Sequence, residues 1–287
     1  MARYGFFSRQ LKKAFGDISA SNLAIIGIVI VGIFAIIAIF APFFAPYNPY
    51  DIDLMATYQS PSFEHLFGTD NVGRDTFSRI LYGSRMAFTI TLLIVILELS
   101  ISVPLGLISS YIGGYFDEII MRIMDIIISI PHLLLAIVIV ALLGPNVRNA
   151  ILAIGISYIP MLTRLVRSVT LSIKEEPYIE ACQVLRFSVK RIVFYHILPN
   201  IVSVIIVQVS LDLGYALIDM ASLSFIGLGV QPPKASWGAM LSTGKNYLLN
   251  TPWMCIFPGI AIALLVFGFN LFGIGLERIL NPRYQKY

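Results

Sequence analysis

Apolar residues fall along this chain in blocks rather than in alternation, and the blocks are long. A helix crossing about 30 Å of hydrocarbon needs roughly 20 mostly apolar residues, and only helices or closed barrels satisfy their own backbone there. Six windows reach that length: Leu23–Phe43, Met86–Ile112, Ile119–Leu143, Ala150–Ile173, Ile201–Phe225 and Met254–Leu276. They predict an all-α integral membrane protein with six transmembrane helices. The first three windows are Ile-rich and nearly unbroken. The last three hold Pro160, several glycines and acidic residues, so they are expected to face protein or water rather than lipid. The first window follows Arg3, Arg9, Lys12 and Lys13, as a secretory leader would. Its uncharged stretch is nevertheless longer than the about 7–15 residues of a leader's apolar region, so it reads as a retained span.

The same pattern divides the chain into a polar segment 1–22, the first helix 23–43, a connector 44–85, a five-helix body 86–276 that contains a polar loop 174–199, and a tail 277–287. Pro42, Pro46 and Pro49 open the connector, which is expected to be extended. Asp75 is a suitable N-cap for a short helix, Thr76–Tyr82. Phe77, Ile80 and Leu81 share one face of it, the pattern of a helix lying on the membrane surface. Gly68 and Gly73 read as turn glycines, because no Gly-Lys-Ser/Thr follows them to make a phosphate loop.

Between the fourth and fifth windows, Lys174, Glu175, Glu176, Glu180, Arg186, Lys190 and Arg191 are set among Ile, Val, Leu and Phe. Two short amphipathic helices are expected there, the first near Tyr178–Leu185 with Pro177 in its first turn. Pro199 suits the start of the next membrane helix. A loop too apolar to be merely solvated and too charged to enter the bilayer is a docking surface for another protein. After the fifth window, Trp237 and Tyr247 fit an interfacial belt, with a small surface or re-entrant helix as the alternative.

Composition agrees with the pattern: 57% of the 287 residues are hydrophobic and 13% charged, outside the range of a soluble domain. Orientation follows from Lys and Arg, which stay on the cytoplasmic side. With the N-terminus inside, six spans leave only Arg74, Arg79, Arg85, Arg148, Lys234 and Lys245 outside, and the remaining members of the 20 Lys and Arg inside. Both termini are then cytoplasmic. The net charge of +4 reads as membrane topology and contact with anionic lipid headgroups, and no basic patch interleaved with aromatics points to nucleic acid. Cys182 and Cys255 fall on opposite sides of the bilayer and cannot pair. His65, His132 and His196 are scattered and form no metal site with them.

The loop sequence Glu180-Ala-Cys-Gln-Val-Leu-Arg186, followed by His196-Ile-Leu-Pro199, resembles the EAA loop of binding-protein-dependent ABC importer permeases. That motif reads Glu-Ala-Ala, three residues, Gly, nine residues, Ile, one residue, Leu-Pro. Glu180, Ala181, Leu198 and Pro199 match at the right spacing, while Cys182, Arg186 and His196 replace Ala, Gly and Ile. Further segments are similar to the C-type permease of the dipeptide, oligopeptide and nickel branch: Phe67-Gly-Thr-Asp70, Gly73-Arg-Asp75, Phe77-Ser-Arg79, Met121-Arg-Ile-Met-Asp125, Ser129-Ile-Pro131, Leu223-Ser-Phe-Ile-Gly-Leu-Gly229 and Trp237-Gly-Ala-Met240.

The resemblance implies a permease subunit in the bacterial cytoplasmic membrane that forms a heterodimer with a homologous permease. It also implies two cytoplasmic ABC ATPases docked on the EAA loops and an extracytoplasmic solute-binding protein. ATP and Mg would sit on the ATPases, and this chain would bind no cofactor. Glu180, Ala181, Cys182, Arg186, His196, Leu198 and Pro199 would then be the coupling residues, on cytoplasmic coupling helices between transmembrane helices 4 and 5. The family's Gly supplies a tight turn, and a side chain there in left-handed conformation costs about 1–2 kcal/mol. Arg186 is therefore expected to take ordinary helical geometry and to contact an acidic patch on the ATPase.

Ionisable groups inside a span are costly and informative. In the fifth window Gln208, Asp212, Tyr215, Asp219 and Ser222 fall within an arc of roughly 80° on one side of a helix. This stripe reads either as a wall of the translocation path, with the acids favouring peptide amino groups or cations, or as a seam against the partner permease. Glu98 and Asp125 are lone acids expected to hydrogen-bond between helices, and His196 reads as a surface contact rather than a proton switch. No metalloprotease, nucleophile-elbow or nucleotide-loop motif occurs, so the chain is not expected to hydrolyse ATP itself. The rivals are a channel or ion-driven carrier that needs no ATPase and, within the family, a permease for nickel or a metal chelate.

Overall fold

The computed structural model describes residues 22–280, and among them it contains helices and turns, one isolated bridge between Thr69 and Asp75, and no strand. The expected cytoplasmic positions of Arg3, Arg9, Lys12, Lys13, Arg283 and Lys286, and with them the two chain ends, lie outside the described residues. In chain order the helices are α1 (Asn22–Phe44), α2 (Thr76–Ile112), α3 (Gly114–Ile128), α4 (His132–Leu143) and α5 (Val147–Lys174). They continue with α6 (Pro177–Val184), α7 (Val189–Phe225), α8 (Trp237–Gly244) and α9 (Trp253–Leu280). Five of these, α1, α2, α5, α7 and α9, are long and apolar enough to cross a membrane alone.

The third predicted span is not one straight helix. It is the pair α3 and α4, bent by 84° where Ser129, Ile130 and Pro131 interrupt the helix. Proline disfavours helical geometry in the residue before it and lacks the N–H that would continue the ladder. Apolar content alone does not register such a break, so the expectation of Ile119–Leu143 as a single helix is corrected.

The connector differs as well. Thr76–Tyr82 is no separate surface helix but the opening turns of α2, so the boundary expected at residue 85 moves to Asp75. That cap is as expected: the Asp75 carboxylate accepts the Ser78 N–H at 2.7 Å and lies 2.9 Å from His65 Nδ1. Nor is the connector extended. Gly73 sits at φ +77° with its Cα so close to the Asp53 carbonyl that no Cβ fits, and Asp70 gathers Arg74 at 2.7 Å and Arg79 at 3.7 Å. Phe67 stacks on Phe257 of α9 with 3.9 Å between ring centres. These contacts turn a Pro- and Gly-rich stretch into a folded cap over one end of the bundle.

Helix α5 is the centre of the bundle and packs on α2, α3, α4 and α7. Ala150, Ala153, Ile154 and Leu162 are fully buried along it, and Ser102 of α2 donates to the Ile159 carbonyl at 3.2 Å. Helix α1 lies on the outside against α9 and α2. Trp237 does not sit in an interfacial belt. It is 3% exposed and donates Nε1–H to the Ile80 carbonyl at 3.0 Å, in a helix α8 that packs on α2, α7 and α9.

Candidate functional site

Two features beyond simple packing stand out, a loop at one end of the bundle and a polar column within it. The loop begins where α5 ends at Lys174. Glu176 is extended, Pro177 occupies the first turn of α6, and the helix exposes Glu180, Ala181, Gln183 and Val184 while burying Ile179 and Cys182. Those two side chains, with Ile192 and Ile197, enter a cluster built on Leu162 and Val166 of α5 and Ile201 and Ile205 of α7. The loop is therefore seated firmly, and among the charged residues it leaves outward, such as Glu180, Arg186 and Lys190, are large apolar ones: Val184, Leu185, Val189, Phe194 and Tyr195 are all exposed. The expected second short helix is not separate. Val189–Ile192 runs through a wide turn at Val193–Ile197 into Leu198–Phe225, so Leu198 and Pro199 sit within one continuous helical run.

Arg186 takes the geometry that the expectation denied. Its φ is +56°, its N–H bonds to the Gln183 carbonyl at 2.9 Å, and the Phe187 N–H bonds to the Cys182 carbonyl at 3.0 Å. This pair of bonds closes a helix with a left-handed residue just past its end, the position where glycine is usual. Arg186 thus keeps the backbone turn that the resembled motif assigns to glycine and bears the strain of a side chain in it. The neighbouring contacts hold that shape: the Arg191 guanidinium lies 4.2 Å from the Phe187 ring centre, and His196 stacks on the same ring with centres 6.0 Å apart.

The polar column runs between α2, α5 and α7. Along α7, Asp212 and Asp219 form one edge of the predicted stripe and Tyr215 and Ser222 the other, about 40–80° away. Burial follows that rotation: Asp212 and Asp219 are 7% and 6% exposed, Tyr215 56%. The acids face their own bundle. Asp212 accepts Gln208 Nε2–H at 2.9 Å and interacts with the carboxyl group of Glu98 on α2, yet Glu98 Oε2 and Asp212 Oδ2 are buried without a hydrogen-bond partner. Asp219 accepts the Tyr158 hydroxyl of α5 at 2.6 Å, and His132 Nε2, at the start of α4, lies 3.3 Å from the same oxygen.

The sequence therefore places the stripe correctly but not its partners. Glu98, Tyr158 and His132 come from three other helices, and no spacing within one helix could have joined them to Asp212 and Asp219. Asp125 makes the bond between helices expected of it, pairing with Arg164 of α5. Among the described residues no group of three or more His, Cys, Asp and Glu is arranged to hold a metal ion.

Comparison with known proteins gives consistent results. Residues 102–286 match the family described as binding-protein-dependent transport system inner membrane component, and residues 10–61 match the N-terminal TM domain of oligopeptide transport permease C. The chain is 43% identical to the dipeptide transport system permease protein DppC of Alkalihalophilus pseudofirmus, over 96% of this chain and 90% of that protein. It is 44% identical to the probable D,D-dipeptide transport system permease protein DdpC of Escherichia coli, over 93% and 89% respectively. It is also 42% identical to the glutathione transport system permease protein GsiD of Pectobacterium atrosepticum, over 89% and 86%. Among solved structures, the inward-facing MetNI methionine ABC transporter matches with a TM-score of 0.59 over 71% of this chain and 95% of that one, at 17% identity. That last likeness is one of fold.

Proposed function

Because the chain belongs to the family of binding-protein-dependent transport system inner membrane components and is a permease subunit of an ABC peptide importer, we propose how its parts divide the work. It is a multi-pass membrane protein, placed by this reading in the bacterial cytoplasmic membrane with both termini inside. A homologous permease completes the path, two ATPases carry ATP and Mg, and a solute-binding protein delivers substrate from outside. The relatives are named for dipeptide, D,D-dipeptide and glutathione transport, so the substrate class is a short peptide. The chain itself binds no cofactor and performs no hydrolysis.

The observation that carries this reading is the loop after α5. A short helix rooted by Ile179 and Cys182, joined by short turns to two membrane helices and carrying exposed apolar side chains, is a handle for a cytoplasmic motor. Glu180, Ala181, Arg186 and His196 shape or present its surface, and motion there tilts α5 and α7 between inward and outward openings. The path runs along the open edge of the α7 stripe. Tyr215, Ser222 and Gln208 line it, and Asp219 is reached past the exposed ring of His132.

Asp219→Asn and Asp212→Asn are expected to lower uptake of a labelled dipeptide roughly tenfold, the scale of one charge-assisted hydrogen bond, while the purified complex keeps its subunit composition. Loss of the complex with no separate transport defect would assign the acids to holding this subunit's own helices together instead. An ATPase-independent carrier would use buried carboxyls equally well but has no need of an exposed apolar handle. Failure of the chain to copurify with any ATPase would favour that reading.

A further inference from the structure

Helix α3 is joined to the rest of the chain by two breaks. On one side Gly113 and Gly114 are both at positive φ, +71° and +59°, and a Cβ on either would meet nothing within 4 Å, so this joint is unpacked as well as permissive. On the other side lies the 84° bend at Ser129–Pro131. Between them α3 buries a single residue, Met124. Apolar packing alone holds such a helix weakly.

What does hold it is charge. Arg167 of α5 grips Asp117 with both arms of its guanidinium, Nε to Oδ1 at 2.6 Å, and Arg164 pairs with Asp125. The Asp117 pair is the better shielded, with the side chains 31% and 13% exposed, and a two-armed pair of this kind fixes orientation as well as distance. Lys174 extends the same face of α5, donating to the carbonyls of Tyr111 at 2.9 Å and Ser110 at 3.3 Å, at the end of α2 just before the glycine joint. Positions 164, 167 and 174 fall within an arc of about 80° on a helix, so one basic stripe on the last turns of α5 touches the end of α2 and both ends of α3. After Lys174 the chain turns directly into α6.

We propose that α3 is a hinged strut carried by this stripe: Arg167 and Arg164, through Asp117 and Asp125, are positioning residues that transmit movement of the loop helix α6 into the bent third crossing. Both joints allow α3 to turn as a unit, and the ion pairs make it turn with α5 rather than lag behind. The strut rests on the importer reading above, because only a motor-driven α6 gives it something to transmit.

The test is a double-mutant cycle on the reconstituted complex with its ATPases and binding protein, reading both peptide uptake and ATP hydrolysed per peptide. Wild-type complex must first show ATP-dependent uptake, which checks the importer reading separately. Asp117→Asn and Arg167→Gln should each cut uptake about tenfold and raise ATP consumed per peptide by a similar factor, and the double variant should be no worse than the worse single. Uptake and hydrolysis falling in step, additive losses near a hundredfold, or singles that transport normally would overturn the strut. Should either single variant fail to assemble, the exchanged pair D117R/R167D decides: recovered assembly and uptake support it, and no recovery overturns it.

Discussion

Ile179→Ala is expected to cut peptide uptake more than about tenfold and to weaken copurification of the ATPase, although the residue touches no substrate. Helix α6 has only eight residues, too few to be stable without tertiary support, and it buries only Ile179 and Cys182. Ile179 is fully enclosed among Leu162, Ile192, Ile197 and their neighbours. Truncating an enclosed Ile to Ala costs about 2–5 kcal/mol, a loss that falls on this small element first because the membrane helices keep their own contacts. The outward apolar residues Val184 and Leu185 would then no longer be presented in one geometry. Ile179→Val, at about 0.5–1.5 kcal/mol, should transport close to wild type. The two variants, measured for uptake and for retained ATPase after purification, separate loss of the seat from loss of the subunit.

The second large effect belongs to α1. Its buried residues are Ala24, Gly27, Ala38 and Ala41, all small, and its closest approaches to α9 are made by backbone. A Cβ at Gly27 would lie 2.4 Å from the Phe272 nitrogen, and one at Gly275 would lie 2.5 Å from the Ala24 Cα. Lipid tails are as apolar as Leu, so what holds a membrane helix in place is close fit rather than avoidance of water. Gly27→Leu is therefore expected to push α1 off the bundle at a cost of about 1–3 kcal/mol or more, seen as loss of a cysteine cross-link between α1 and α9 and a lower melting temperature. Gly32 has nothing within 4 Å of its Cβ position. Gly32→Leu should leave both readings unchanged.

The spans were legible because lipid imposes one requirement, a run of apolar residues, that needs no partner to be read. Asp75 was legible as a cap for the same reason, since the hydrogen bond it makes is to its own Ser78 N–H. The failures share the opposite property. The bend before His132 leaves apolar content unchanged, so a window of hydropathy passes over it. Trp237 looked interfacial because its nearest hydrogen-bond partner, the Ile80 carbonyl, is more than half the chain away. Arg186 looked unsuited to a left-handed turn on local preference, yet the two backbone bonds that close α6, with Phe187 packed beneath, outweigh a strain of about 1–2 kcal/mol.

In the candidate site the periodic half was readable and the assembled half was not. The spacing of Gln208, Asp212, Tyr215, Asp219 and Ser222 gave the stripe but not its gradient from buried acid to exposed Tyr215. It could not give Tyr158 or His132, whose approach to Asp219 depends on how α5 and α4 cross α7. Asp125 and Asp117 likewise acquire meaning only once α3 lies beside Arg164 and Arg167.

The account depends on the loop after α5 being a cytoplasmic handle, and a single engineered thiol tests it. Val184→Cys places a reactive group at an outward position of α6, 81% exposed, with the wild-type Cys182 and Cys255 supplying the background. In oriented vesicles a membrane-impermeant maleimide should label this thiol only from the cytoplasmic face, and bound ATPase should block the reaction. Labelling from the outer face, or labelling that the ATPase does not change, would contradict the account.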